Sequence, residues 1–294
     1  MLKDYAYPIA LALISLLVLA LEWAFPARPE QKKLRASLPQ DLLHLVFNGH
    51  FLGVMIYAAS KTYVLPYLDG WLEAAGLKDT LYRSVAADWH VGVQIVVALL
   101  ALDFMQWGVH NMLHRVPWLW TFHQTHHSVK DGEMDWIVAF RFQWVEVVVY
   151  KMMQYFPLAY LGFGYEAMMV HAIFGTLIGH LNHANLDWDY GPLKYVLNSP
   201  RMHLWHHDAH SQERGGTSNF AIIFSVWDWA FGTAYMPAHP PKKIGFEGVE
   251  AFPRTFFGQT MWPLSDHLPQ SRPLRWAAYA SVAAAIVALY MWLV

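Results

Sequence analysis

Ten histidines of this chain are spaced in a way that is typical of metal sites. The chain contains 17 histidines, and twelve of them lie between positions 110 and 210. Residues three, four or seven positions apart on a helix share a face, so each close group projects its imidazoles in one direction. The candidate metal ligands are His110, His114, His123, His126, His127, His180, His183, His203, His206 and His207. The spacing leaves open whether His180 and the nearby His210 belong to the ligand set.

The ligand type restricts the metal. Sites made of imidazole suit iron, copper, zinc or nickel, whereas magnesium and calcium require oxygen ligands. Ten histidines exceed what one ion can hold, and two ions with about five each would keep an open position, as catalytic metal sites do. Asp103 lies seven residues before His110 on the same helical stripe. We expect its carboxylate to accept the second N–H of a ligand histidine.

The composition is that of a membrane protein. Of the 294 residues, 56% are hydrophobic and only 14% are charged, against about a quarter charged in soluble domains. The net charge of −2 gives no electrostatic footprint for nucleic acid, so we expect no such partner. The sequence contains no cysteine, which excludes iron–sulfur clusters, thiolate-bound haem and cysteine-based zinc sites.

Six apolar segments are long enough to cross a bilayer, which takes about 20 helical residues. They are Ile9–Phe25, Leu42–Tyr67, Val91–His114, Trp144–Leu161, Glu166–His183 and Trp276–Val294. We therefore predict an all-α integral membrane protein with about six transmembrane helices. Four or five crossings plus re-entrant segments is the alternative, because the second segment contains four polar residues. The polar region that follows His183 is expected to form a helical cap carrying the histidine-rich dimetal site.

The same pattern predicts domains and orientation. We expect membrane helices in residues 1–90, a catalytic region in 91–235, and a C-terminal segment with a final membrane helix in 236–294. Cytoplasmic loops are enriched in lysine and arginine. With six alternating spans, 15 of the 20 basic residues fall on the histidine side and 4 on the other. The metal site is therefore expected to face the cytoplasm, from a bacterial inner membrane.

Three histidine motifs follow one another in the catalytic region. They are Asp103-Phe-Met-Gln-Trp-Gly-Val-His110-Asn-Met-Leu-His114, His123-Gln-Thr-His126-His127 and His203-Leu-Trp-His206-His207. Asn219-Phe220 and Trp227-Asp228-Trp-Ala-Phe231-Gly232-Thr233 follow them, and Arg141 and Glu146 lie between. This order resembles the fatty acid hydroxylase superfamily, which includes sterol desaturases, fatty-acid hydroxylases and alkylglycerol monooxygenase. The resemblance covers roughly residues 88–235.

The resemblance implies a membrane-bound non-haem di-iron oxygenase that hydroxylates or desaturates a lipid C–H bond with O2. It implies two iron ions as cofactors, which zinc or nickel can replace in purified protein. It also implies a lipid substrate from the bilayer and a separate electron donor of the ferredoxin or cytochrome/reductase type. A sterol or isoprenoid desaturase and an ether-lipid monooxygenase are the alternatives within the superfamily.

Two other classes of protein use histidines in membranes. A b-type haem electron carrier requires isolated histidines in the middle of facing helices. A transition-metal transporter requires ligands along a path through the bilayer. The histidines of this chain instead form adjacent pairs at one edge, and the centres of its most apolar spans contain none. The sequence therefore favours the oxygenase over both.

Overall fold

The protein is helical throughout the residues that its structure describes. The computed structural model describes residues 5–82, 85–211, 216–263 and 271–293, which contain no β-strand and one isolated bridge, Asp208 to Ile244. The helices are α1 (Ala6–Ala24), α2 (Leu38–Ala74), α3 (Lys78–Leu81), α4 (Val91–Arg115), α5 (Pro117–His127), α6 (Trp144–Tyr160), α7 (Tyr165–His183), α8 (Pro200–His206), α9 (Val226–Ala230), α10 (Phe256–Thr260) and α11 (Arg272–Leu293). The predicted all-α class is confirmed.

Four of these helices are long and apolar enough to cross a membrane. They are α1, α2, α4 and the stretch Pro273–Trp292 of α11, counted among the described residues. The other two predicted spans are present as helices α6 and α7, of 17 and 19 residues. α6 is short and α7 ends in polar residues, so neither meets the same requirement of length and hydropathy. The structure therefore contains four clear candidate spans plus a helical hairpin.

The helices run back and forth between two ends of the molecule. At one end, the amide of Gly164 before α7 donates to Oε1 of Gln94, near the start of α4, at 2.7 Å. At the other end, the amide of Ala27 after α1 donates to the carbonyl of Asn185 after α7, at 2.9 Å. Helices α1, α4 and α7 therefore point in the same direction. Their C-terminal ends meet at the end of the molecule that holds the histidine motifs.

Two polar residues of α2, His44 and Asn48, make contacts within the protein. Near the histidine end, His44 Nε2 lies 3.1 Å from Oε1 of Gln259, and the Asn48 amide donates to the carbonyl of Phe142 at 2.9 Å. Two π-helical turns, Phe47–Phe51 and Ser60–Val64, interrupt the α-helical hydrogen bonding. Two of the four polar residues that make this predicted span doubtful, His44 and Asn48, thus bind protein partners.

The region after α7 forms a cap of short helices and turns over the histidine end. Its helix α8 begins with good capping signals: the Ser199 hydroxyl accepts from the Met202 amide at 3.3 Å, and Pro200 follows it. A small apolar core of Val129, Met134, Val138, Leu204 and Ile244 joins the cap to the segment after α5. Nothing in this packing divides the chain at residues 90 or 235, and the domain limits stay predictions.

Candidate metal centre

Four helix ends bring nine of the ten predicted histidines together. α4 contributes His110 and His114 in its last turns, and α5 starts at Pro117, which suits the first position of a helix. α5 ends in His127 and α7 in His183. α8, held by its Ser199 cap, supplies the third motif. All nine side chains are buried or nearly buried, although their ring nitrogens are polar.

The nine histidines form two groups. Within each group the ligand nitrogens all lie within 4.8 Å of one another. The first group has five members: His110, His114, His123, His127 and His206. The second group has four: His126, His183, His203 and His207. Adjacent residues are split between the groups, because neighbours on a helix point about 100° apart.

The hydrogen bonds of the first group fix which nitrogen carries the proton. His110 Nδ1 lies 2.6 Å from the carbonyl oxygen of Phe220, and His123 Nδ1 lies 2.7 Å from Oε1 of Glu146. Because a carbonyl and an ionised carboxylate both accept, each Nδ1 donates to such a partner, and each neutral ring then carries a lone pair on Nε2. These two Nε2 atoms lie only 3.1 Å apart. Two facing lone pairs repel unless a cation lies between them.

His206 extends the same pattern across the first group. Its Nδ1 lies 2.9 Å from the carbonyl of Ser218, which leaves its Nε2 as the free ligand atom. That Nε2 lies 3.2 Å from Nε2 of His114 and 3.1 Å from Nε2 of His127.

The second group repeats the arrangement around His183. Its Nδ1 donates to the carbonyl of Gly179 at 2.7 Å. Its Nε2 lies 3.1 Å from Nε2 of His126 and 3.0 Å from Nε2 of His203. Adjacent nitrogens around an ion with metal–nitrogen bonds of about 2.1 Å stand roughly 3 Å apart in octahedral geometry. Both groups therefore fit a transition metal ion.

Burial keeps these imidazoles neutral. It lowers the pKa of His126 and His203 well below the usual value for histidine, and the neighbouring imidazoles add to the effect. Neither ring nitrogen of His207 has a hydrogen-bond partner among the described residues. A buried polar atom without a partner costs free energy, and a metal ion would offset that cost here. The donor set fits iron, copper, zinc or nickel.

Asp103 does not bind a ligand histidine, contrary to the prediction. Its carboxylate accepts from the amides of Ile223 and Phe224 and from Trp227 Nε1, each at 2.9 Å. Seven helical residues span about 10 Å, which puts Asp103 too far along α4 to reach the ring of His110. Asp103 instead holds the segment whose Phe220 carbonyl orients His110.

Asp228 holds the same segment from the other side. Its Oδ1 accepts from the amide of Phe220 at 2.9 Å and from Trp107 Nε1 at 3.0 Å, and its Oδ2 accepts from the amide of Ala221 at 2.9 Å. Asp228 and Asp103 are both fully buried. The two carboxylates thus fix the backbone that orients His110.

His180 lies outside both groups. Its Nε2 is 3.2 Å from the hydroxyl of Ser15, and its ring stacks on Trp136 with centroids 5.0 Å apart. His210 also lies outside, with 49% of its side chain exposed and its Nδ1 3.9 Å from Asp208. The ligand roles of the remaining nine histidines are supported by geometry and stay predictions.

Glu146 is a functional candidate to which the sequence assigns no role. It is buried on the first turn of α6, and its Oε2 has no hydrogen-bond partner among the described residues. A carboxylate bound to Nδ1 of a metal-ligating histidine raises the basicity of that ligand. In the sequence, Glu146 follows His123 by 23 residues and comes shortly after Arg141. This position is the only hint of a role, and the sequence alone does not place the carboxylate against the ring of His123.

A buried ion-pair network supports the end of α5 behind the centre. Arg141 donates from Nε to Oδ1 of Asp41 at 2.6 Å and from Nη1 to the carbonyl of Ser128 at 2.9 Å. Arg35 donates to Oδ2 of Asp41 at 3.0 Å and from Nε to Oδ2 of Asp135 at 2.6 Å. Buried charges that lose a partner are costly, so this network ties α2 firmly to the segment after the second motif.

Similarity to known proteins is concentrated in the histidine region. Residues 95–233 match the fatty acid hydroxylase family model. An ornithine lipid hydroxylase of Rhizobium tropici is 31% identical over 60% of this chain and 52% of its own length. Alkylglycerol monooxygenases of Xenopus tropicalis and Homo sapiens are 31% and 30% identical, over 33% and 41% of their length. No solved structure matches the chain.

The match to the fatty acid hydroxylase family model and the named relatives confirm the predicted resemblance over residues 95–233. The relatives' names describe hydroxylation or monooxygenation of lipids. The chain spans about half, or less, of the length of the curated relatives it matches. Together with this similarity, the four candidate spans indicate an integral membrane protein.

Proposed function

We propose that this protein is a membrane-bound, non-haem di-iron monooxygenase that hydroxylates a C–H bond of a lipid with O2. The observation that carries the proposal is the pair of imidazole groups whose Nε2 atoms meet at 3.0 to 3.2 Å. Nitrogens this close leave no room for a porphyrin between them, which disfavours the b-type haem carrier. Two iron ions, when bound, supply the activation of O2 that an unactivated C–H bond requires.

The protein's own residues orient the ligands. Glu146 and the carbonyl of Phe220 fix the rings of His123 and His110. The ring of Trp120 lies against His114, with centroids 5.0 Å apart. Preset ligands reduce the reorganisation that oxidation at the centre demands.

The surroundings of the centre support a lipid substrate and a cytoplasmic site. Trp118, next to the centre on α5, is 62% exposed, as interfacial tryptophans are. The excess of basic residues on the histidine side favours the cytoplasm. We propose that electrons come from a separate donor of the ferredoxin or cytochrome/reductase type, which is available on that side.

Oxygen-18 labelling tests the proposal. Iron-loaded protein in bilayers of total bacterial lipid is supplied with a reducing system and ¹⁸O₂, and the lipids are analysed by mass spectrometry. We expect one labelled oxygen atom in one lipid class. His126→Ala and His206→Ala should abolish labelling while the protein stays in the membrane fraction, because these residues lie outside the candidate spans.

Three other outcomes of the labelling experiment would change the proposal. A product two hydrogens lighter and without label would replace hydroxylation with desaturation. Full labelling by either histidine variant would remove that residue from the essential set. Iron-loaded, reduced wild-type protein that labels no lipid would overturn the proposal.

A further inference from the structure

A polar cavity of about 520 Å³ opens directly onto the first histidine group. Its floor includes His114, His127 and His206, and Trp120 forms part of its wall. This volume lies within the range of small-molecule sites. A second cavity, of about 510 Å³, lies on the other side of the segment around Lys243 and touches none of the nine histidines. The first cavity is therefore a route from outside to the centre.

The cavity lies at the depth of lipid headgroups. Arg115 is the last residue of the candidate span α4, and Pro117 opens the next helix; both line the cavity. The exposed Trp118, which follows Pro117 in the chain, marks the same level. Most of the lining is polar, which suits a headgroup better than an acyl chain.

Two free cations line this cavity. The exposed guanidinium of Arg115 lies over the ring of Phe220, 5.9 Å from its centroid, and forms no ion pair with a described carboxylate. Lys243, on the opposite segment, is also exposed and forms no ion pair within the described ranges. Of the two carboxylates in the lining, Asp208 is buried and accepts from the amide of His210 at 3.3 Å, and Glu247 is exposed. A ligand in this cavity would therefore meet two exposed cations and one exposed carboxylate, which favours a ligand with an anionic group.

We propose that this cavity binds the anionic headgroup of a polar lipid through Arg115 and Lys243. The shared chemistry is a phosphate or carboxylate, which arginine binds through paired N–H donors. The inference rests on the proposed function, which it deepens by naming the class of substrate. A headgroup held there brings the adjoining carbon atoms, rather than the far end of the chain, next to the first group.

Binding of two matched lipids tests this assignment without any turnover. Full-length, zinc-loaded protein in neutral detergent is titrated with radiolabelled decanoyl-lysophosphatidylglycerol and, separately, with radiolabelled monodecanoylglycerol. We expect the anionic probe to bind at least about tenfold more tightly, as charge-assisted hydrogen bonds would give. Arg115→Gln and Lys243→Gln should each remove about tenfold of that affinity and leave binding of the neutral probe unchanged.

Lys242→Gln is the matched control. Lys242 precedes Lys243 in the chain and is equally exposed, but it lines the second cavity only. Metal content and gel filtration verify that each variant is folded. Equal affinity of wild-type protein for the two probes would overturn the proposal, as would unchanged binding in both cavity variants or an equal loss in Lys242→Gln.

Inorganic phosphate, added as a competitor, separates the two sources of the anion. Displacement of the lipid only at a much higher phosphate concentration supports a headgroup site. Displacement at equal concentration would overturn the lipid assignment and leave a site for free phosphate. Because the zinc-loaded protein performs no oxidation, failure of this binding test and failure of the labelling test are independent results.

Discussion

The Nε2 atoms of His110 and His123 lie 3.1 Å apart, while the Nδ1 atom of each ring already faces an acceptor. Facing lone pairs repel, so this pair favours a cation between them. In the second group, Nδ1 of His183 faces the carbonyl of Gly179, and its Nε2 lies 3.1 Å from Nε2 of His126. We propose that each of the two groups holds one metal ion.

We predict about two metal ions per protein chain, because each group offers enough imidazoles for one ion. Elemental analysis of protein prepared without chelators should approach two equivalents, with iron partly replaced by zinc or nickel. A folded and active sample with almost no metal would contradict the dimetal centre.

His183→Ala and His180→Ala should differ sharply, although the residues are one helical turn apart. His183 belongs to the second group, so its loss should lower metal content to about one equivalent. His180 contacts Ser15 and Trp136 instead, so His180→Ala should keep both ions and lower only thermal stability. Elemental analysis and thermal unfolding in detergent measure the two effects. Loss of one equivalent in His180→Ala would make His180 a ligand.

Glu146→Gln should weaken metal binding at the first group by roughly 10–100-fold, as is usual for partners of ligand histidines. The amide oxygen can still accept from His123 Nδ1, but the negative charge that makes the ring more basic is lost. Competition with a chelator measures the affinity. The exposed Glu250→Gln serves as the control. Equal metal retention in both variants would reduce Glu146 to a packing residue.

The histidine end should face the cytoplasm. The native chain has no thiol, so single cysteines report sidedness cleanly. Cysteines at the exposed positions Ala36 and Lys242, both at the histidine end, should react with a membrane-impermeant maleimide only from the cytoplasm.

Asp79, exposed just after α2, should react only from the opposite side once replaced by cysteine. This position tests whether α2 crosses the membrane. Labelling of Asp79→Cys from the cytoplasm would show that α2 turns back within the bilayer, and the orientation of the chain would then need revision.

The sequence predicts the histidine positions well because helical spacing determines which side chains share a face. The division of the histidines into two groups is harder to predict, although adjacent histidines in the sequence indicate it. His126 and His127 are adjacent, and adjacent helical residues do not face each other. They therefore lie in different groups.

The residues that orient the ligands could not be read from the sequence. The acceptors for His110 and His206 are backbone carbonyls, of Phe220 and Ser218, and every residue has one. Asp103 lies on the same stripe of α4 as His110, but seven residues of helical rise separate its carboxylate from the ring of His110. Its true partners lie about 120 residues later in the chain, beyond any local pattern.

The position of the third motif has a consequence for how the protein is made. The first group is completed by His206 and the second by His207, so neither set of ligands exists until translation has passed both. By then the candidate spans α1, α2 and α4 have already emerged from the ribosome. In the proposed dimetal protein, metal loading would therefore follow the emergence of these helices, and both groups would be complete almost simultaneously. Shortage of metal during biosynthesis would accordingly yield full-length apoprotein rather than chains arrested during synthesis.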